Sequence, residues 1–197
     1  MMDSKLIDSY VAILKEELLP AMGCTEPIAV AYAAAYLRKI LGVEPESVLA
    51  EVSGNILKNV KSVIVPNTGG LCGVKAAVAA GIVAGDPDAK LEVIAKTKKE
   101  QLPAIKEYME SCPIEVSCME SPRMLDIRVS GKAGENTAMV HIANNHTNIV
   151  EARRNDEIII SLPISDSAED NLTDKSVLNV KDIVDFANEA PLEKFYE

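Results

Sequence analysis

Tryptophan is absent, and five tyrosines and two phenylalanines are the only aromatics among 197 residues. Packing therefore falls to Ala, Val, Ile and Leu, with total hydrophobic content an ordinary 48%. A basic excess is also missing: 20 Lys and Arg face 30 Asp and Glu, for a net charge of −10. Nucleic-acid binding needs a basic stripe to neutralise phosphates. Lys96, Lys98 and Lys99, and the pair Arg153 and Arg154, are the short basic clusters, and both sit among acidic or polar neighbours. Nucleic acid and anionic membranes are thus not expected as partners. The longest apolar run, Ile28 to Leu37, has ten residues, about half of what a spanning helix needs. The opening Met-Met-Asp-Ser-Lys carries no apolar signal-peptide core, so the expected compartment is the cytoplasm. Cysteines are few: Cys24, Cys72, Cys112 and Cys118 show neither CxxC spacing nor the density of a disulfide framework. They read as free thiols.

What is present suggests one medium domain or two small lobes. Ser4 to Leu18 has the spacing of an amphipathic helix that Pro20 stops. After a short connector, Thr25 is a plausible N-cap, Glu26 suits the positive helix end, and Pro27 is tolerated in the first turn. Ile28 to Leu41 is apolar nearly all round and should be buried, with Gly42 as its stop. Ser47 to Ser53, Ser62 to Val65 and Leu91 to Ala95 read as strands, and Val74 to Ala84 and Lys98 to Met109 as helices. The period then shortens. Ile114 to Cys118, Leu125 to Ser130, Thr137 to Ala143, Ile149 to Arg153 and Glu157 to Ser161 are β-like runs separated by turn residues. Ser165 to Asp174 reads as an exposed acidic loop, and Val180 to Glu189 returns to helical spacing. The expected class is α+β: a helical lobe with short strands over 1–110, a small antiparallel sheet lobe over 111–164, and a return loop and helix over 165–197.

Four features could carry chemistry. Cys24, within Gly23-Cys24-Thr25-Glu26-Pro27, precedes a helix start, where the macrodipole favours thiolate. Asn67-Thr68-Gly69-Gly70 leads into a helix and can offer backbone N–H groups to a carboxylate. It matches neither a P-loop nor a dinucleotide fingerprint. Ser53 and Asn55, at a strand end, could orient a zwitterion. His146, in an Asn-rich turn, could act as acid, base or ligand, whereas His141 alternates within a strand and reads as structural. Taken singly, each also fits a plain role in a turn or core.

In order and neighbourhood, Gly23-Cys24-Thr25-Glu26-Pro27, Ser53-Gly54-Asn55-Ile56 with Lys58-Asn59-Val60, and Val65-Pro66-Asn67-Thr68-Gly69-Gly70 resemble the L-cysteine desulfidases and the wider L-serine dehydratase-like group. Ala80 to Asp86 and His146 to Val150 extend the resemblance over nearly the whole chain. It implies a β-elimination in which cysteine loses sulfide and gives an aminoacrylate that hydrolyses to pyruvate and ammonia, or the equivalent reaction of serine. It also implies a [4Fe–4S] cluster on three thiolates, with Cys24 as the N-terminal ligand. Asn67, Thr68, Gly69 and Gly70 would bind the substrate carboxylate, with Ser53, Asn55 and His146 as further candidates, His146 in the catalytic role. Members of that family are longer, and their other cluster cysteines lie in a C-terminal helical portion that Cys72, Cys112 and Cys118 do not match. The expectation is the N-terminal part of a lyase, with no complete cluster on this chain alone. A missing C-terminal half or partner chain would complete it, and homo-oligomers are possible. A non-catalytic amino-acid-binding domain is the alternative. A pyridoxal phosphate lyase is a third reading, for which neither Lys58 nor Lys75 is singled out.

Overall fold

The computed structural model describes residues 3–18, 20–164 and 173–195, and within them the class is α+β. They form two compact units: residues 20–164, and residues 1–19 together with 165–197.

The larger unit contains α2 (Thr25–Leu41), β1 (Ser47–Ser53), α3 (Gly54–Val60), α4 (Gly73–Ala84) and α5 (Leu102–Ser111). Five strands follow: β2 (Ile114–Met119), β3 (Asp126–Ala133), β4 (Asn136–Ala143), β5 (Ile149–Arg154) and β6 (Glu157–Ser161). All six strands join one sheet in the order β2-β1-β3-β4-β5-β6. This corrects the expected division at residue 110. β1 comes from the helix-rich stretch yet lies between β2, which it pairs in parallel, and β3, which it pairs antiparallel. The sheet is therefore mixed, and its parallel pair needs the long crossover through α3, α4 and α5. Crossovers leave no mark in local periodicity, so spacing alone suggested a separate antiparallel lobe.

One face of the sheet is apolar. Val48, Ala50, Val52, Ile127, Val129, Val140, Ile142 and Ala152 are buried there with α2 and α4. These helices have small or branched apolar residues on almost every side, because α2 lies among the sheet, α4 and the short Pro87–Glu92 helix. The contact between α2 and α4 uses small residues. A Cβ added to Gly81 would sit 2.1 Å from the Ala31 carbonyl oxygen. At their far ends Arg38 of α2 donates to the carbonyls of Ile82 at 2.6 Å and Gly85 at 2.7 Å, satisfying the C-terminus of α4. The opposite face is polar, with a Glu51–Arg128 ion pair at 3.6 Å, as antiparallel sheets allow.

Local expectations differ in four places, one being α3 itself, a helix where none is expected. Cys24, not Thr25, occupies the N-cap of α2, and its side chain makes no cap hydrogen bond. Ser62–Val65 forms only an isolated bridge, Ile64 to Cys72. Leu91–Ala95 lies in 3-10 and turn structure, where Lys90 takes a φ of 48°.

In the smaller unit, α1 (Ser4–Glu17) is capped by Asp3 and α6 (Val180–Glu189) by Asn179. Its buried cluster is Tyr10, Val11 and Phe186, with the Tyr10 and Phe186 rings 5.0 Å apart. The Glu16 carboxylate accepts from the Thr173 amide and hydroxyl, and Lys175 pairs with Glu17 at 2.6 Å. Most of the acidic stretch expected as a loop, residues 165–172, lies outside the described residues. No helix among the described residues is long and apolar enough to cross a membrane.

Candidate functional site

Sheet register gathers Ser53, Asn55 and His146 at one end. Ser53 pairs with Met119, Val52 with Ile127, Asp126 with Ala143, and Ile142 with Ile149. The C-terminus of β1, the start of α3 and the 144–148 turn bearing His146 therefore share that end. The start of α2 meets them there. The Cys24 Sγ donates to Glu26 Oε2 at 3.1 Å, and Asn59 Nδ2 of α3 donates to Glu26 Oε1 at 3.2 Å. The Gly23 and Pro66 motifs also touch: a Cβ on Gly23, which has a φ of 145°, would lie 3.5 Å from Pro66 Cγ.

Electrostatics follow from this arrangement. Burial pushes the Cys24 thiol above its ordinary value, and the hydrogen bond and charge of Glu26 push the same way against a backbone contribution. The helix-start position favours thiolate, but burial and, after it, the carboxylate two residues on favour the neutral thiol, because both oppose a further negative charge. Glu26 is held below the usual carboxylate range by the Cys24 hydrogen bond, with Asn59 and His146 assisting and burial opposing. His146 is half-buried, and burial lowers its pKa, only partly offset by the Glu26 charge. Its imidazole is therefore neutral near pH 7 and can accept a proton.

The predicted substrate residues divide into two groups. Ser53 and Thr68 are buried and turned inward. Ser53 Oγ donates to the Met124 carbonyl at 2.7 Å and caps α3, while Thr68 Oγ1 donates to the Val65 carbonyl at 2.7 Å. Asn67 Nδ2 donates to the Ile94 and Ala95 carbonyls, each at 3.2 Å. These three side chains shape the loops. By contrast, Gly69 and Gly70 have φ values of 72° and 99°, and among the described residues their amides donate to no backbone acceptor. Asn55 is half-buried, and no hydrogen bond engages its amide among the described residues. The Gly69–Gly70 backbone and Asn55 are thus available to a ligand.

Sequence reasoning missed Glu26 and Asn59 as partners. Glu26 was weighed only against the helix dipole, and nothing local says that an amide 33 residues later reaches it. It also missed a buried network at the same sheet end. His141 Nε2 lies 2.5 Å from Asp126 Oδ1, Ser121 Oγ donates to Asp126 Oδ2 at 2.6 Å, and Arg123 stands 3.6 Å away. Burial raises the Asp126 pKa, but Ser121, His141 and Arg123 outweigh it and hold the carboxyl below its ordinary range.

A four-iron cluster on three thiolates needs two cysteines besides Cys24. Cys72 caps α4, Cys112 contacts the Pro45 carbonyl, and Cys118 lies on β2. Among the described residues, no three His, Cys, Asp or Glu side chains are grouped to hold a metal ion. Cys24, exposed, fits as a single ligand; the described residues do not complete the set. A separate groove of about 490 Å³ lies on the polar sheet face, lined by Leu49, Ser130, Lys132, Met139 and Arg153 among others, and contains none of the predicted site residues.

No family model matches the chain, and no solved structure matches it significantly. Curated relatives do. A UPF0597 protein of Treponema denticola is 47% identical over 194 residues, covering 98% of this chain and 45% of the relative. A UPF0597 protein of Desulfitobacterium hafniense is 46% identical over 189 residues, covering 96% and 44%. One from Fusobacterium nucleatum is 41% identical over 182 residues, covering 92% and 43%. The chain therefore spans less than half the length of these relatives, whose name states no reaction.

Proposed function

We propose that this chain is the N-terminal part of a cytoplasmic lyase of the L-cysteine desulfidase and L-serine dehydratase-like kind, completed by polypeptide outside it. The observation that carries the reading is the convergence of Cys24, Glu26 and Asn59 beside a neutral His146, with Pro66, which leads into the Asn67–Gly70 loop, lying against Gly23. A [4Fe–4S] cluster, with Cys24 among its ligands, would supply Lewis-acid assistance to the leaving sulfur or hydroxyl.

The remaining steps fall to the chain's own side chains. The Gly69 and Gly70 amides and Asn55 bind the amino-acid carboxylate. His146 Nδ1 or Nε2 takes the α-proton as general base, and the Glu26 carboxylate stabilises the imidazolium that forms. The electron pair of the Cα–H bond becomes the Cα–Cβ double bond as the Cβ–S or Cβ–O bond breaks, and the leaving sulfur or oxygen keeps that bond's electron pair and departs as hydrogen sulfide or water with the proton that His146 took. Aminoacrylate tautomerises to the imine, and water hydrolyses it to pyruvate and ammonia.

The test combines this chain with the part of the Treponema denticola relative that it does not match, under anaerobic iron and sulfide reconstitution. Pyruvate release from L-cysteine or L-serine is expected. Cys24→Ala should abolish it, and His146→Gln should lower kcat by about 10²–10⁴. Calorimetric amino-acid binding without pyruvate would instead assign a non-catalytic binding domain.

A further inference from the structure

The described residues of the smaller unit enclose a small interior. Among its described residues the buried hydrophobic side chains are Tyr10, Val11, Ile13 and Phe186. Small units gain more than large ones from an external staple or partner. At the same time α6 wastes an apolar face. Val180, Ile183 and Val184 are 80%, 46% and 53% exposed, and Ala187 continues the stripe at helical spacing. Leu192 is 66% exposed just beyond the helix. Asn179 caps α6 firmly, accepting from the Asp182 amide at 2.9 Å, so the stripe belongs to a formed helix rather than a frayed end.

Charge decides among occupants. Beside the stripe α6 carries Asp182, Asp185 and Glu189 against Lys181 alone. A second copy would bring these acids against their own kind, on a chain whose net charge is already −10. An amphipathic helix with basic flanks would meet them favourably. Chain of sufficient length exists in the relatives, more than half of whose residues lie outside the match.

We infer that the Val180–Ile183–Val184–Ala187 face of α6 is the docking surface for a helix with an apolar stripe and basic flanks, contributed by the polypeptide that the longer relatives carry outside the matched part. The inference rests on the part of the proposed function that calls for such polypeptide, and it locates that partner. Its readouts are association and protection, so a complex that forms without making pyruvate would fail the lyase reading alone.

The chain is co-expressed with the unmatched part of the Treponema denticola relative, and hydrogen exchange is followed by mass spectrometry in peptides covering 180–187. Co-purification and a slowing of exchange by about tenfold relative to the chain alone are expected. The double variant Ile183→Glu, Val184→Glu should keep the circular dichroism of the chain and lose the partner. Unchanged exchange in the complex, or full retention of the partner by the double variant, would overturn the inference. Protection of 180–187 already present in the chain alone would do the same. So would a dimer of the chain alone that the double variant disperses, since the stripe would then belong to a second copy. If the added polypeptide proves insoluble, the chain alone still reports on the stripe. Its binding of the apolar dye anilinonaphthalene sulfonate should fall by about half in the double variant, and equal binding would overturn the inference.

Discussion

Replacing Gly81 by Ala separates two opposing forces of similar size. By helix propensity alone the change should stabilise α4 by up to about 1 kcal/mol, because Gly is the poorer helix former. Tertiary packing predicts the reverse. The new Cβ would lie 2.1 Å from the Ala31 carbonyl oxygen, 2.9 Å from its carbonyl carbon and 3.0 Å from its Cα. A carbon–oxygen contact relaxes at about 3.3 Å or more, so α2 and α4 must separate by about 1 Å where both are fully buried. Overpacking of this kind costs about 1–3 kcal/mol and occasionally more. The obstruction here is backbone rather than a side chain that can turn away, so the upper part of that range applies. Net destabilisation of about 2 kcal/mol follows, lowering the urea midpoint by about 1 M for an m-value near 2 kcal/mol/M. Far-UV circular dichroism in urea measures it, with Gly42→Ala as a comparison. Gly42 has a φ of 88° and open space around it, so that change carries only backbone strain. A Gly81→Ala midpoint at or above wild type would refute the close-packed α2–α4 contact.

Asp126→Asn should cost about 3–5 kcal/mol, the range for breaking a buried ion pair, read as a fall in the urea midpoint at pH 7. Because the native Asp126 pKa is depressed, its stabilisation is complete above the unfolded value near pH 4 and lost as pH falls through the native value. The gap between wild type and variant should therefore close in acid; a gap constant from pH 7 to pH 3 would contradict the assignment. In proton NMR, His146 should titrate below the free-histidine value of about 6.5. Glu26→Gln should lower it further by removing the one charge that raises it; an upward move would exclude their proximity.

Much of the secondary structure was legible because it depends on neighbours in sequence. α2 and its Gly42 stop, α4, α6 and the runs that became β3 to β6 follow from spacing, capping and turn chemistry. Failures arose where local signals were equivocal. Ser62–Val65 and Leu91–Ala95 have strand-like composition, but no neighbouring strand is in register to pair them into the sheet. The hydrogen-bond partners of Cys24, Ser53 and Thr68 were hidden for a related reason. Their local motifs suggested charge or ligand contact, while Glu26 and the carbonyls of Met124 and Val65 took their polar atoms.

By itself the amino-acid order settled most of the helices and strands and the α+β class, and it marked the glycine loop at Gly69–Gly70. Those outcomes come from interactions spanning a few residues. Placement of β1 between β2 and β3, the meeting of Glu26 with Asn59 and His146, and the burial of the Asp126–His141 pair were decided only in three dimensions. Each joins groups separated by tens of residues, and such contacts are selected by burial and hydrogen-bond satisfaction across the whole core, which no local pattern encodes.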